Sequence, residues 1–196
     1  KKYDIIVLHD NAYSELVFDG QSCGSFLSIP GAMEVGVEFN SLSKTYGLAG
    51  ARIGFCVGNK EVVGMLKTLK SNMDYGMFLP IQAAAVEALT GNQAVVAETR
   101  AAYEHRRDVL CDGLIEAGWH MEKPAGTMFV WAPIPSSYQD SESFVADLLD
   151  KTGVLVTPGS AFGPSGEGYV RMALVQSEDT MSKIVKAVAA SGIFGK

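Results

Sequence analysis

A chain of 196 residues with 47% hydrophobic content carries enough apolar material for one or two folded units. Its net charge of −6, from 22 acidic against 16 basic side chains, argues against a general binder of nucleic acid or of anionic membranes. No stretch approaches the roughly 20 apolar residues of a membrane span, and the charged start Lys1-Lys2 is no signal peptide.

In chain order, the apolar run Ile5-Ile6-Val7-Leu8 predicts a buried parallel strand. Asp10-Asn11-Ala12-Tyr13 follows at its C-terminal end, where open α/β sheets bind ligands. Alone, Asp-x-x-Tyr is a weak signal and reads more readily as a turn at a strand end. His9 alternates with Asp10 and is expected to face the other side, satisfied by backbone. Cys23 to Pro30 reads as a connection, and Glu34 to Phe39 and Arg52 to Val57 as two further strands.

Between those two strands lies the most informative segment, Ser41-Leu-Ser43-Lys44-Thr-Tyr-Gly47-Leu-Ala-Gly50-Ala-Arg52-Ile-Gly54. Ser43-Lys44-Thr45 is reminiscent of a phosphate-cradling P-loop, but that motif needs glycine immediately before the lysine and five positions earlier. Ser43 and Glu38 stand there instead, so the P-loop is excluded. Gly47, Gly50 and Gly54 do not have dinucleotide-fingerprint spacing either. What remains is an amine, two hydroxyls and a guanidinium on a glycine-rich loop tied at both ends to strands. Such a loop can hold Lys44 in a cleft, where desolvation favours nucleophilic use.

Further along, Val62, Val63, Met65, Leu66 and Leu69 have helical spacing over Lys60–Lys70. Pro80 introduces a helical region from 81 to 117, broken at Thr90-Gly91-Asn92, whose second part from Ala94 joins two domains. Met73, Met77 and Phe78 are expected as core or dimer contacts. A strand over Thr127–Trp131, a helix over Ser141–Lys151 with Ser141 as its N-cap, and a short strand over Val154–Thr157 follow. Pro158–Gly163 precedes a strand over Tyr169–Leu174 interrupted by Arg171, and a helix over Glu178–Ala190 completes the pattern. His105 and His120 are expected at the surface. Cys23, Cys56 and Cys111 show neither metal-ligand nor disulfide-framework spacing, and read as reduced thiols of a cytoplasmic protein, two of them buried. No His/Cys/carboxylate cluster suggests a metal site.

The run from Ser41 to Gly54 resembles the lysine segment of the fold-type I pyridoxal-phosphate (PLP) enzymes, specifically the class I/II aminotransferases. With Asp10-x-x-Tyr13 before it and Gly168-Tyr-Val-Arg171 after it, the likeness spans positions 10 to 171. The resemblance implies that Lys44 forms a Schiff base with PLP and then moves the substrate's α-proton. It gives the cofactor's phosphate to Ser41 and Arg52, with Ser43 as a further candidate. Asp10 would pair with the pyridinium nitrogen, Tyr13 with the 3-oxygen, and Arg171 with the substrate's α-carboxylate. The implied fold is α/β: residues 1–93 as the C-terminal half of the large PLP-binding domain, and residues 94–196 as a linker helix and small α/β domain. Family members are longer, so the chain is expected to be the C-terminal portion of a homodimeric transferase, inactive alone.

The implied reaction moves an amino group between an amino acid and a 2-oxo acid. Lys70–Pro80 and Asp10–Glu15 are most similar to aminotransferases acting on LL-diaminopimelate, alanine or aspartate. Two other readings share these residues: another PLP reaction on the same scaffold, such as β-elimination or decarboxylation, and the PLP-binding domain of a transcriptional regulator.

Overall fold

In a computed structural model describing residues 1–195, the chain forms two compact units, Lys1–Arg100 and Ala101–Lys196. The first is built on three strands: β1 (Val7–Asp10), β2 (Gly36–Ser41) and β3 (Gly54–Gly58). β2 lies in the middle, parallel to β1 and antiparallel to β3. All three start later than sequence patterning suggests, each for a local reason. Asp4 turns the chain with φ 53° before β1, so Ile5 and Ile6 stay outside the ladder, which opens at Val7. Ala32–Glu34 form a 3-10 turn before β2, and left-handed Arg52 holds back β3.

The expectation of a strand buried on both faces is not met. Among the described residues β1 pairs with β2 alone, and Leu8 is 66% exposed. The core of this unit is Leu16, Phe18, Ala32, Val37 and Leu42, collected around β2 and the segment after β1, with Ala85. Helices α2 (Lys60–Met73) and α3 (Leu79–Thr90) follow the sheet. Asn59 caps α2 by accepting from the N–H groups of Glu61 and Val62, and Pro80 sits in the first turn of α3, where its missing N–H costs nothing. Met73 and Phe78 are each 70% exposed, so neither is a core residue of this unit. The break expected at Thr90-Gly91-Asn92 is present, and α4 runs from Ala94 to Glu116.

The second unit has the larger core. Its sheet has the order β4 (Phe129–Pro133), β6 (Tyr169–Ala173), β5 (Thr157–Pro158), antiparallel throughout. Strand alternation buries Val130, Ala132, Val170 and Met172 on one face. Those residues pack with Leu110, Leu114, Phe144, Leu148 and Met181 from the flanking helices and with Trp119 from the connection after α4. β5 is displaced from the expected Val154–Thr157: the N–H of Val154 donates to Thr152 Oγ1, and pairing begins only at Thr157.

Helix α5 (Ser141–Thr152) is capped by Asp140, whose side chain accepts from Ser143 N–H at 2.7 Å, rather than by Ser141. Ser141 is buried one position inside, with its N–H and hydroxyl both given to Glu167. The last helix, α6, spans Glu178–Ala190 and is capped by Ser177. His105 and His120 are exposed as expected, while Cys111 alone of the three cysteines is buried, and burial pushes its thiol up to about 11.

Phe144 is fully buried, with edge contacts to Trp119 at 5.3 Å and Tyr138 at 5.0 Å. Phe144→Ala is expected to lower stability by about 3–5 kcal/mol in urea unfolding. Lys183→Ala, which breaks only the exposed pair with Asp179, should change it by less than about 0.5 kcal/mol.

Candidate active site

β1 delivers Asp10 to the edge of the sheet and stops. Asn11 N–H still donates to Phe39 O at 2.8 Å, after which the backbone turns through Tyr13 and Leu16. Parallel register sets Asp10 beside Phe39 and His9 beside Glu38, so the two pairs lie on opposite faces. On the His9 face Glu38 is buried and accepts from Asn11 Nδ2 at 2.9 Å and Ser25 Oγ at 2.5 Å, with His9 Nδ1 at 3.1 Å. Desolvation pulls the Glu38 carboxyl up, but the hydrogen bonds from Asn11, Ser25 and His9 outweigh it and leave it below its ordinary 4.5. His9 therefore donates from Nδ1 to a buried carboxylate, a side-chain partner in place of the expected backbone one. Alternation alone could not foresee that partner.

The lysine segment leaves β2 through Ser41, whose Oγ accepts from Ser43 N–H at 3.2 Å and caps a one-turn helix, α1 (Leu42–Thr45). Leu42, Ser43 and Thr45 turn inward and are buried. Lys44 is left half-buried, its Nζ 5.5 Å from the centroid of the Tyr13 ring. Tyr46 closes the turn and donates from its hydroxyl to Gln93 Oε1 at 2.8 Å.

The chain then reverses through Gly47, at φ 65°, and Arg52, at φ 52° and ψ 48°. Gly50 adopts no left-handed backbone. That an arginine does so instead is informative: left-handed backbone costs a side-chain-bearing residue about 1–2 kcal/mol, and such strain concentrates at functional sites. Arg52 Nη1 donates to Ala49 O at 3.1 Å. Two residues later Gly54 pairs with Ser41 across the sheet, and a Cβ there would stand 2.4 Å from Asn40 O. Only glycine fits that approach.

These turns enclose a cavity of about 260 Å³ lined by Asp10, Asn40, Ser41, Ser43, Arg52 and Gly54, among others. Four of the expected residues thus meet in one hollow: a carboxylate, two hydroxyls and a guanidinium. The hydroxyl and guanidinium donors suit an anion such as a phosphate, and the carboxylate suits a cationic group. Tyr13 and Lys44 are not in its lining but are brought together beside each other. A second cavity of about 480 Å³ shares Asn40 and Ser41 and includes Tyr46, Gln93 and the Glu15–Arg100 pair at 2.9 Å. Asn40 and Glu38 escaped sequence reasoning, because nothing in a strand pattern marks which polar residue the fold will enclose.

Arg171 belongs to the second unit. It lies on β6 opposite Trp131, on the face away from the core, with its guanidinium carbon over the rings of Phe129 (4.3 Å) and Phe162 (4.5 Å). No acidic side chain pairs with it among the described residues.

Residues 1–188 match the family model for aminotransferase class I and II. The chain belongs to that family. It is 47% identical over 186 residues to the LL-diaminopimelate aminotransferase of Moorella thermoacetica, covering 95% of this chain and 47% of that relative. It is 46% identical over 192 residues to the glutamate-pyruvate aminotransferase AlaC of Escherichia coli K12, covering 97% and 47%. The solved aromatic aminotransferase of Pyrococcus horikoshii OT3 superposes with a TM-score of 0.91 at 28% identity, covering 97% of this chain and 52% of that one. The chain spans about half the length of the curated relatives it matches. Its α/β fold is that of the fold-type I members of the family.

Glu38 also makes the acid stability of this family member testable. Because its carboxyl is held below 4.5, its contribution is present above that value and is lost as pH falls through the depressed one. Glu38→Gln should therefore be less stable than wild type at pH 7, with the gap narrowing as pH falls below the ordinary carboxylate value in urea unfolding.

Proposed function

We propose that the protein to which this chain belongs is a PLP-dependent aminotransferase that moves an amino group between an amino acid and a 2-oxo acid. The observation that carries the proposal is the cavity at the end of β1, where Asp10, Ser41, Ser43 and Arg52 converge, with Lys44 following Ser43 in the chain. That donor set matches PLP group by group. Ser41, Ser43 and Arg52 supply neutral and cationic donors for a phosphate. Asp10 supplies a carboxylate to keep a pyridine nitrogen protonated, and Tyr13 a phenol for the 3-oxygen. Residues 1–93 serve as the cofactor-binding part, and residues 94–196 as the linker helix and small domain.

When bound, PLP supplies an aldehyde that condenses with amines and a ring that withdraws electrons from the substrate's Cα. Lys44 Nζ would hold the cofactor through its aldehyde, and as a free amine would move the proton at the substrate's Cα. Asp10 would keep the ring nitrogen charged and so make this proton acidic. Arg171 takes the α-carboxylate through its planar fork of donors and so orients Cα.

The identity to relatives named for LL-diaminopimelate and for glutamate and pyruvate supports small amino acids and dicarboxylic amino acids as the donors to try first. A cytoplasmic, homodimeric protein completes the reading. The three free cysteines support a reducing compartment, and sedimentation of the intact protein tests the dimer.

The deciding experiment combines Lys44→Ala with a donor panel run against pyruvate and 2-oxoglutarate on the intact protein. Borohydride reduction should fix PLP to the Lys44 peptide in wild type and to no peptide in the variant, with turnover down by about a hundredfold or more. Labelling elsewhere would sink the role given to Lys44, and turnover without an oxo-acid acceptor would replace transamination by elimination or decarboxylation. Arg52→Gly should keep the turn, because glycine accepts the left-handed backbone, and should weaken PLP binding about ten- to a hundredfold in a fluorescence titration.

A further inference from the structure

The exposed face of the second unit's sheet is unusual in being aromatic with a single cation at its centre. Strand alternation sends Phe129, Trp131, Tyr169 and Arg171 to that face, away from Val130, Ala132, Val170 and Met172. Phe162, which ends the 3-10 turn Gly159–Phe162, adds a further ring. Trp131 stands edge-on to Phe162 at 5.7 Å and stacks on Tyr169 at 5.6 Å and 16°. The cation at the centre has ring faces as neighbours and no acidic partner among the described residues.

We propose that Phe129 and Phe162 are positioning residues that hold the Arg171 guanidinium ready for a substrate carboxylate; this rests on the assignment of Arg171 to that carboxylate. An arginine has four rotatable side-chain bonds, and holding it still costs entropy whenever it binds. An acidic neighbour would hold it, but would also occupy its N–H donors and neutralise its charge. Ring faces hold it differently. With the guanidinium carbon 4.3 and 4.5 Å from the two centroids, the rings attract the cation through its faces. The N–H donors around its rim stay open for a bidentate carboxylate.

The supports are themselves fixed. Phe129 is set by its β4 register opposite Ala173, and Phe162 is braced by Trp131, which sits directly opposite Arg171 in the ladder. The rings therefore act before substrate arrives, by restricting where the guanidinium can be. Their loss should fall on carboxylate affinity rather than on proton transfer.

The test uses the intact, PLP-loaded protein and compares Phe162→Leu, Phe162→Tyr, Phe129→Leu and Arg171→Gln. Phe162 is 49% exposed, so its substitution leaves the core intact. KM for the amino acid and for the oxo acid should rise about three- to tenfold in each leucine variant, with kcat changing less. Phe162→Tyr, which keeps a ring, should restore KM. The inhibition constant of propionate, a carboxylate with neither amine nor keto group, should move in parallel with KM. On an Arg171→Gln background, Phe162→Leu should add nothing further. If Arg171→Gln raises KM while neither leucine variant does, or if Phe162→Leu acts equally without Arg171, the positioning role is overturned. If Arg171→Gln itself leaves KM and propionate inhibition unchanged, the carboxylate assignment beneath it has failed instead.

Discussion

The pairing of Ser41 with Gly54 is the constraint on which the candidate site depends. It joins the end of β2 to the start of β3 so closely that a Cβ on Gly54 would press on Asn40 O. The twelve-residue excursion between them must leave and return to adjacent ladder positions. A short capped helix, a left-handed glycine and a left-handed arginine accomplish that return. Lys44 and Arg52 are held at opposite ends of this excursion, one on the capped turn and the other on the strained corner. The conformational cost at Arg52 is borne by the strand pairing around it. The guanidinium is thereby kept in a cavity wall, where a relaxed loop would let it wander.

The polar cluster behind β1 complements this arrangement. A buried carboxylate is costly unless its oxygens are satisfied, and Glu38 meets that requirement with Asn11, Ser25 and His9. The same bonds tie β1 and two points of the connection that follows it to β2, so the end of β1 that presents Asp10 is anchored from its far side. The two faces of one strand end thus carry different duties. One presents a carboxylate to the cavity, while the other consumes a carboxylate to fix the backbone.

The second unit solves a different problem with a similar economy of residues. One face of its small sheet builds the core together with Trp119, Phe144 and Leu148. The other face carries aromatic rings around Arg171. An arginine in a strand ordinarily lays its stem on apolar surface and sends its head to water. Here rings receive the head as well, so the charge is retained and its movement is limited.

Much of this was legible in the residues. Hydrophobic spacing marks the helix over Lys60–Lys70, because a 3.6-residue period survives whatever the helix packs against, and Pro80 and Thr90-Gly91-Asn92 mark the start and the break of the helical region that follows. The order of Asp10, Lys44, Arg52 and Arg171 along the chain carries the family, because those side chains have few chemical substitutes. Strand boundaries were less legible. They hang on single backbone angles at Asp4 and Arg52 and on a hydrogen bond at Val154, none of which has a periodic signature. The partners were not legible at all: Glu38 for His9, Gln93 for Tyr46, and Phe129 and Phe162 for Arg171 lie 29, 47, 42 and 9 positions away. Sequence by itself determined which chemical groups this protein carries and in what order. Only the tertiary structure decided which of them meet, because contact between distant residues is set by strand register and turn geometry rather than by the identity of either partner.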